Sequence, residues 1–291
     1  MRINQFGHVI MPVFRSSGST NQPANPITQI NATETLSTLL KNGLPFTVAT
    51  ARSVVSTKQI LGPLPLQLPI VEFNGAYVTD YQTGKHLIAH DFPTDIKEAL
   101  LSFLLKHNCP PFISGFDGQK DCLYYDQIVN EAMAYYRDER TQAGDKRLQK
   151  ISDVKDGLSD QIVCFTVLQK NPVKTDIQSL LHKAFGNHII TYRFDSDISE
   201  PYYWLAIHPP EATKANGILS LIDLQGLSSK QLTVFGDNLN DLPMFKIADR
   251  AIAVENALIE VRNAANQIIG PNETDSVIHF IANENPDILS L

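Results

Sequence analysis

Cysteine is scarce in this chain: Cys109, Cys122 and Cys164 are the 3 cysteines among 291 residues. They are too few and too scattered for a disulfide framework or a four-ligand zinc site, and they suit a reducing compartment. A basic surplus is missing as well. With 24 Lys and Arg against 31 Asp and Glu, the formal net charge is -7. No positive stripe is available for a nucleic-acid backbone or an anionic membrane, so neither is an expected partner. Long apolar runs are absent near the start, where Val9 to Phe14 is short and interrupted by Pro12. That stretch cannot serve as a signal peptide or a membrane span, so a cytoplasmic location is expected and the sequons at Asn31 and Asn272 carry no weight. No internal repeat or low-complexity tract occurs. Acids are rare in the first part of the chain, where Glu34 and Glu72 alone precede Asp80.

What is present reads as an ordinary globular protein, 43% hydrophobic and 19% charged. The length suits two domains of roughly 100 to 200 residues each. A strand is expected at His8 to Phe14, followed by the small and polar loop RSSGSTNQPANP. A helix should follow, capped by Thr28 or Asn31, with Ile30, Leu36, Leu39 and Leu40 as its stripe and Gly43 at its end. Leu44 to Ala49 is a short apolar strand. Strand, helix, strand in succession indicates a βαβ unit and a parallel sheet. Thr50 lies just past the second strand, at the edge where open α/β sheets bind ligands, and could hold a phosphate oxygen. A helix cap is the structural alternative.

The densest stretch is LTVFGDNLNDLPMF, Leu232 to Phe245. Leu232, Val234 and Phe235 can fill a buried strand, Gly236 permits a sharp exit, and Pro243 suits a first helical turn. Asp237 and Asp241 stand four residues apart. Two carboxylates that close call for a metal ion, a lysine or both, and an acidic helix cap is the other reading. Between these regions, from about residue 82 to 197, the texture is mixed. It contains an apolar helix at Ile96 to Leu105, an Asp117-Gly118 turn, a strand at Gln161 to Leu168 and a polar segment from Arg137 to Asp160. The tyrosines Tyr124, Tyr125, Tyr135 and Tyr136 suit packing or a ligand cleft. The chain is expected to return to its first domain around Tyr202 to His208.

The pattern G-D-x-x-N-D followed by L-x-M-F resembles the fourth motif of the haloacid dehalogenase-like hydrolases, in particular their Cof-type branch. FTVATARS resembles the second motif, with Ala51 in place of the usual glycine, and Asn74 to Ala76 resembles the Cof-type N-G-A segment. Lys214 matches the lysine of the third motif, and Ala251 to Ala257 resembles the final core strand and turn. The resemblance implies an α/β fold: a Rossmann-like parallel-sheet core from 1–81 and 198–291, with an inserted α+β cap from 82–197 that covers the active site and selects the substrate. It implies phosphate binding by Thr50 and Lys214, a supporting or substrate-binding group of Arg52, Asn74, Gly75 and Asn240, and Mg²⁺ at Asp237 and Asp241. Lys214 is also expected to pair with one of those acids. A small phosphorylated metabolite is the implied partner.

The first motif departs from the family. Where D-x-D-G-T should supply a nucleophile and a general acid and base, the chain reads VIMPVFRSSGST. Ser16, Ser17 and Thr20 occupy that loop, and an unactivated hydroxyl is a poor nucleophile. Asp117-Gly118 does not replace the motif, because Gly115 stands where the nucleophile would be. Losing the first acid also leaves Asp237 as the one charged Mg²⁺ ligand of the family set, which implies a weak site. Two expectations follow: a phosphate-binding protein with lost or weakened phosphatase chemistry, or a working Mg²⁺-dependent phosphatase of sugar phosphates with a substitute nucleophile.

Overall fold

The computed structural model describes residues 13–14, 32–170, 176–195, 202–227 and 232–290. The backbone of β1 (Val13–Phe14) pairs antiparallel with Thr233 and Leu232. Two residues carry too little pattern to encode a pairing direction. Helix α1 (Ala32–Lys41) buries Leu36, Leu39 and Leu40, each worth roughly 1.5–3 kcal/mol, and Gly43 beyond its end takes the positive φ of +90° that glycine tolerates. The cap candidates Thr28 and Asn31 and the apolar Ile30 lie outside the described residues, as does most of the expected first strand.

The segment expected as a strand at Leu44 to Ala49 is buried and extended. It makes a parallel bridge from Ala49 to Val71 and takes the Val71 N–H on the Val48 carbonyl at 2.8 Å. Helix α2 (Val54–Leu61) follows, then the antiparallel strands β2 (Ile70–Glu72), β3 (Tyr77–Thr79) and β4 (His86–Ala89).

The next stretch builds a sheet of its own from α3 (Thr94–Lys106), β5 (Phe112–Phe116), β6 (Asp121–Tyr125), α4 (Glu131–Gln142), β7 (Leu148–Lys150), β8 (Gln161–Lys170), α5 (Ile177–Phe185), β9 (Ile190–Asp195) and β10 (Tyr202–His208). The strand order is β7-β6-β5-β8-β10-β9, antiparallel except between β6 and β7. Asp117 and Gly118 form the β5–β6 turn, with Gly118 at φ +93°. The pleat decides the fate of the tyrosines. Tyr124 packs in the cluster of Leu100, Ile113 and Phe165, and its neighbour Tyr125 joins Phe112 and Met133 on the opposite face. Tyr136 packs partly into the second cluster and Tyr135 is 42% exposed.

The chain then supplies α6 (Lys214–Gln225), β11 (Leu232–Gly236), α7 (Leu242–Phe245), β12 (Arg250–Val254), α8 (Ile259–Ala264), β13 (Gln267–Ile269), α9 (Ser276–Glu284) and α10 (Pro286–Leu289). Strands β11, β12 and β13 run parallel, in register Phe235 to Ile252 and Ala253 to Ile268. Val234, Ile252 and Ala253 are wholly buried, as a parallel strand covered on both faces requires.

Two compact units result, one from Met1–Ala89 with Thr213–Leu291 and one from His90–Ala212. The expected insertion of 82–197 is therefore displaced at both ends. Strand β4 belongs to the first unit because it pairs with β3, and β10 belongs to the second because it pairs with β8 and β9 on either side. Hydrophobic alternation marks β10 as a strand without saying which sheet it joins.

Candidate functional site

The site grows from the end of β11. Leu232 to Phe235 are buried apolar residues that hold the strand in place, and Gly236 leaves no room for a side chain: a Cβ there would lie 2.8 Å from the Asp241 Cβ. The turn after it is closed by Asp241, whose Oδ2 accepts the backbone N–H groups of Asp237 and Asn238, both at 2.9 Å. The other oxygen, Oδ1, accepts the Lys214 ammonium at 2.8 Å, and both side chains are 0% exposed. An ion pair this deep is tolerable because the carboxylate also accepts two backbone N–H groups.

Lys214 opens α6, and Thr213 caps that helix by accepting the N–H of Asn216 at 3.1 Å. A cation at the positive end of a helix is electrostatically misplaced, so Asp241 supplies the compensation that the helix cannot. The approach of α6 depends on two glycines. A Cβ on Gly75 would come within 2.0 Å of the Thr213 carbonyl oxygen, and one on Gly217 within 2.3 Å of Val71.

Thr50 is wholly buried; its hydroxyl oxygen accepts the N–H of Arg52 at 3.1 Å, which leaves the hydroxyl its own proton to donate. The N-G-A turn is tied to the same segment, because the N–H of Asn74 reaches the Thr50 carbonyl at 2.8 Å and that of Phe73 reaches the Arg52 carbonyl at 3.1 Å. Phe73 and Asn74 hold positive φ of 49° and 56°, a conformation that asparagine accepts better than most residues. The Asn74 side-chain oxygen takes the amide N–H of Asn240 at 2.9 Å, while the Asn240 side-chain oxygen is buried and finds no hydrogen-bond partner among the described residues.

Thr50, Arg52, Asn74, Gly75, Lys214, Asp237, Asn240 and Asp241 thus belong to one unit and are linked by these contacts. Ser16, Ser17 and Thr20 lie outside the described residues. Asp241, expected beside Asp237 as a metal ligand, gives Oδ1 to Lys214 and Oδ2 to two backbone amides. Among the described residues no group of three or more His, Cys, Asp or Glu is arranged to hold a metal. The carboxylate residue Asp237 is partly exposed, and the Asn240 amide oxygen is buried with no hydrogen-bond partner among the described residues. That donor set suits a hard cation and is short of the six ligands of Mg²⁺, which would keep waters or substrate oxygens.

The other early acids do not complete it. Glu34 is exposed on α1. Glu72 is 0% exposed, with one carboxylate oxygen on the Val54 N–H and the other on the Thr79 hydroxyl. Sequence reasoning did not assign Glu72 a task, although an acid inside the apolar run PIVEF is the kind of buried charge that needs partners.

Known proteins place the chain in a family. A family model described as haloacid dehalogenase-like hydrolase matches residues 24–281. A 5-amino-6-(5-phospho-D-ribitylamino)uracil phosphatase of Bacillus subtilis is 23% identical over 255 residues, covering 86% of this chain and 88% of its own. The pyridoxal phosphate phosphatase of Escherichia coli is 25% identical over 259 residues, covering 85% and 89%. Among solved structures, a HAD/COF-like hydrolase from Plasmodium vivax superposes with a TM-score of 0.70 at 19% identity, covering 88% of each chain. A haloacid dehalogenase-like hydrolase from Bacteroides thetaiotaomicron does so at 0.67 and 20%, covering 86% and 90%. Among the described residues no helix is long and apolar enough to cross a membrane. With its lysine and fourth-motif acid paired at the end of a parallel strand, and a family model covering most of its length, this chain belongs to the haloacid dehalogenase-like hydrolases, in their Cof-type branch.

Proposed function

We propose that the first unit binds the phosphate group of a small phosphorylated metabolite between the Thr50 hydroxyl and the Lys214 ammonium, and that its phosphatase chemistry is lost or severely weakened. The observation that carries the binding half is the buried Lys214–Asp241 pair, which fixes a cation at the start of α6 beside the turn that carries Asp237. Asp241 holds Lys214 and the turn, Arg52, Asn74 and Gly75 hold the Thr50 loop against α6, and Asp237 with the Asn240 oxygen is where Mg²⁺ would be held. Bound there, the ion would neutralise phosphate charge. With few charged ligands it would bind weakly.

The impaired half rests on the chain before Asp80, which contains no aspartate. Glu72 is spoken for by Val54 and Thr79, and Glu34 faces solvent, so neither supports the role of nucleophile. Removing a nucleophile from a positioned set costs several orders of magnitude in rate. The second reading, an active phosphatase, is favoured by the relatives above, which are named as phosphatases of phosphorylated small molecules.

A phosphate-release screen with Mg²⁺ over sugar phosphates, pyridoxal phosphate, nucleotides and flavin mononucleotide separates them. The proposal expects binding with turnover near background. Robust turnover that survives Ser16→Ala and Ser17→Ala and vanishes in Asp237→Ala would overturn the impairment and exclude those serines as nucleophiles.

A further inference from the structure

Glu72 sits at a charged position that the pocket does not use directly. Its neighbours in sequence are the two residues that tie down the Thr50 loop: Val71 takes the Thr50 N–H on its carbonyl at 2.8 Å, and Phe73 donates to the Arg52 carbonyl at 3.1 Å. Between them the Glu72 side chain turns into the protein, where its exposure is 0%. One oxygen accepts the N–H of Val54, the first helical residue of α2, whose cap is Ser53. The other accepts the Thr79 hydroxyl. His86 Nδ1 stands 2.8 Å from that hydroxyl oxygen and 3.3 Å from the carboxylate, with its ring stacked on Tyr77 at 3.9 Å. Since the Thr79 proton goes to Glu72, His86 Nδ1 must carry a hydrogen and donate to Thr79. Val54 and Thr79 donate to the carboxylate, and His86 donates to Thr79 behind them.

The N-terminal end of an α-helix attracts anions through its unpaired N–H groups and its dipole. In α2 an internal carboxylate already occupies that end, and its own strand ties down the loop that carries Thr50. We propose that Glu72 is a positioning and specificity residue of the phosphate pocket: it fixes the first turn of α2, and its buried charge opposes a dianion bound at Thr50 and Lys214 when no cation accompanies it. This rests on the pocket reading above. Like charges inside a protein repel more strongly than across water, because the effective dielectric there is about 20 and not about 80.

The test is binding of inorganic phosphate by titration calorimetry in EDTA, at pH 8 and low salt, for wild type, Glu72→Gln and Thr50→Ala, with thermal unfolding as a control for folding. Glutamine keeps an oxygen for the Val54 N–H and removes the charge. The expected result is that E72Q binds phosphate about three- to tenfold more tightly than wild type, and that added salt shrinks the gain. If E72Q folds and binds phosphate no better than wild type while T50A abolishes wild-type binding, the role of Glu72 is overturned and the pocket stands. Phosphate binding unaffected by T50A, or absent from both wild type and E72Q, overturns the pocket and this inference with it. Should E72Q fail to fold, Thr79→Val, which removes one donor to the carboxylate and keeps its charge, is expected to leave the affinity unchanged or weaker. A gain in T79V would overturn the electrostatic argument.

Discussion

Lys214 and Asp241, 27 residues apart in the chain, meet at 2.8 Å with neither side chain exposed to solvent. The aspartate also closes the turn that carries Asp237, so one carboxylate joins the start of α6 to the end of β11.

Breaking that pair should be costly in a particular way. Asp241→Asn and Lys214→Met each leave a buried charge without its partner, and each is expected to lower stability by about 3–5 kcal/mol. The double variant K214M/D241N should lose clearly less than the sum of the single losses, because neither charge then remains uncompensated. Calorimetric unfolding of the four proteins checks this, and strict additivity would refute it.

Thr50 gives a sharper reading of the pocket. Its hydroxyl accepts from Arg52 and has its own proton to offer, and a hydrogen bond to a charged group contributes about 1.5–3 kcal/mol. Thr50→Ala is expected to weaken phosphate binding by about tenfold or more, while Thr50→Ser retains most of it. Equal affinities for T50A and T50S would show that the hydroxyl does not touch the ligand.

Gly75 and Gly84 make a matched pair of backbone tests. Both have positive φ, +105° and +77°, but a Cβ at Gly75 would lie 2.0 Å from the Thr213 carbonyl oxygen and one at Gly84 meets nothing within 4 Å. Gly84→Ala should cost about 1 kcal/mol from backbone strain alone. Gly75→Ala should cost several times more, or prevent folding, since it pushes α6 and Lys214 off the N-G-A turn. Melting temperatures of the two variants decide it.

His208 predicts a pH dependence in the second unit. Burial lowers its pKa from 6.5 to about 4, opposed by the hydrogen bond of Nδ1 to the Val163 carbonyl at 2.9 Å. The folded protein therefore keeps the ring neutral between those values while the unfolded chain takes up a proton. Stability is full above about pH 6.5 and falls as the pH drops toward about 4, by up to about 3 kcal/mol. His208→Asn, which can still donate to Val163, should flatten that part of the stability profile. An unchanged slope would assign it to other groups.

Much of this was legible in the chain. The apolar run ending at Gly236, the two acids behind it and the lysine at the start of a helix are local patterns, and local patterns are what period and capping chemistry encode. Leu36, Leu39 and Leu40 announced α1, and Asp117-Gly118 its hairpin, for the same reason. The absence of aspartate before Asp80 is likewise a property of the sequence alone. Tertiary structure decided the rest, because it depends on which distant segments meet. Only the fold assigned Lys214 to Asp241, set Tyr124 and Tyr125 on opposite faces of a sheet, gave β10 to the second unit, and turned Glu72 inward onto Val54 and Thr79. Lys214 with Asp241 and β10 with its neighbours are partnerships between separate segments, and a strand or a carboxylate carries no mark of the partner it will find.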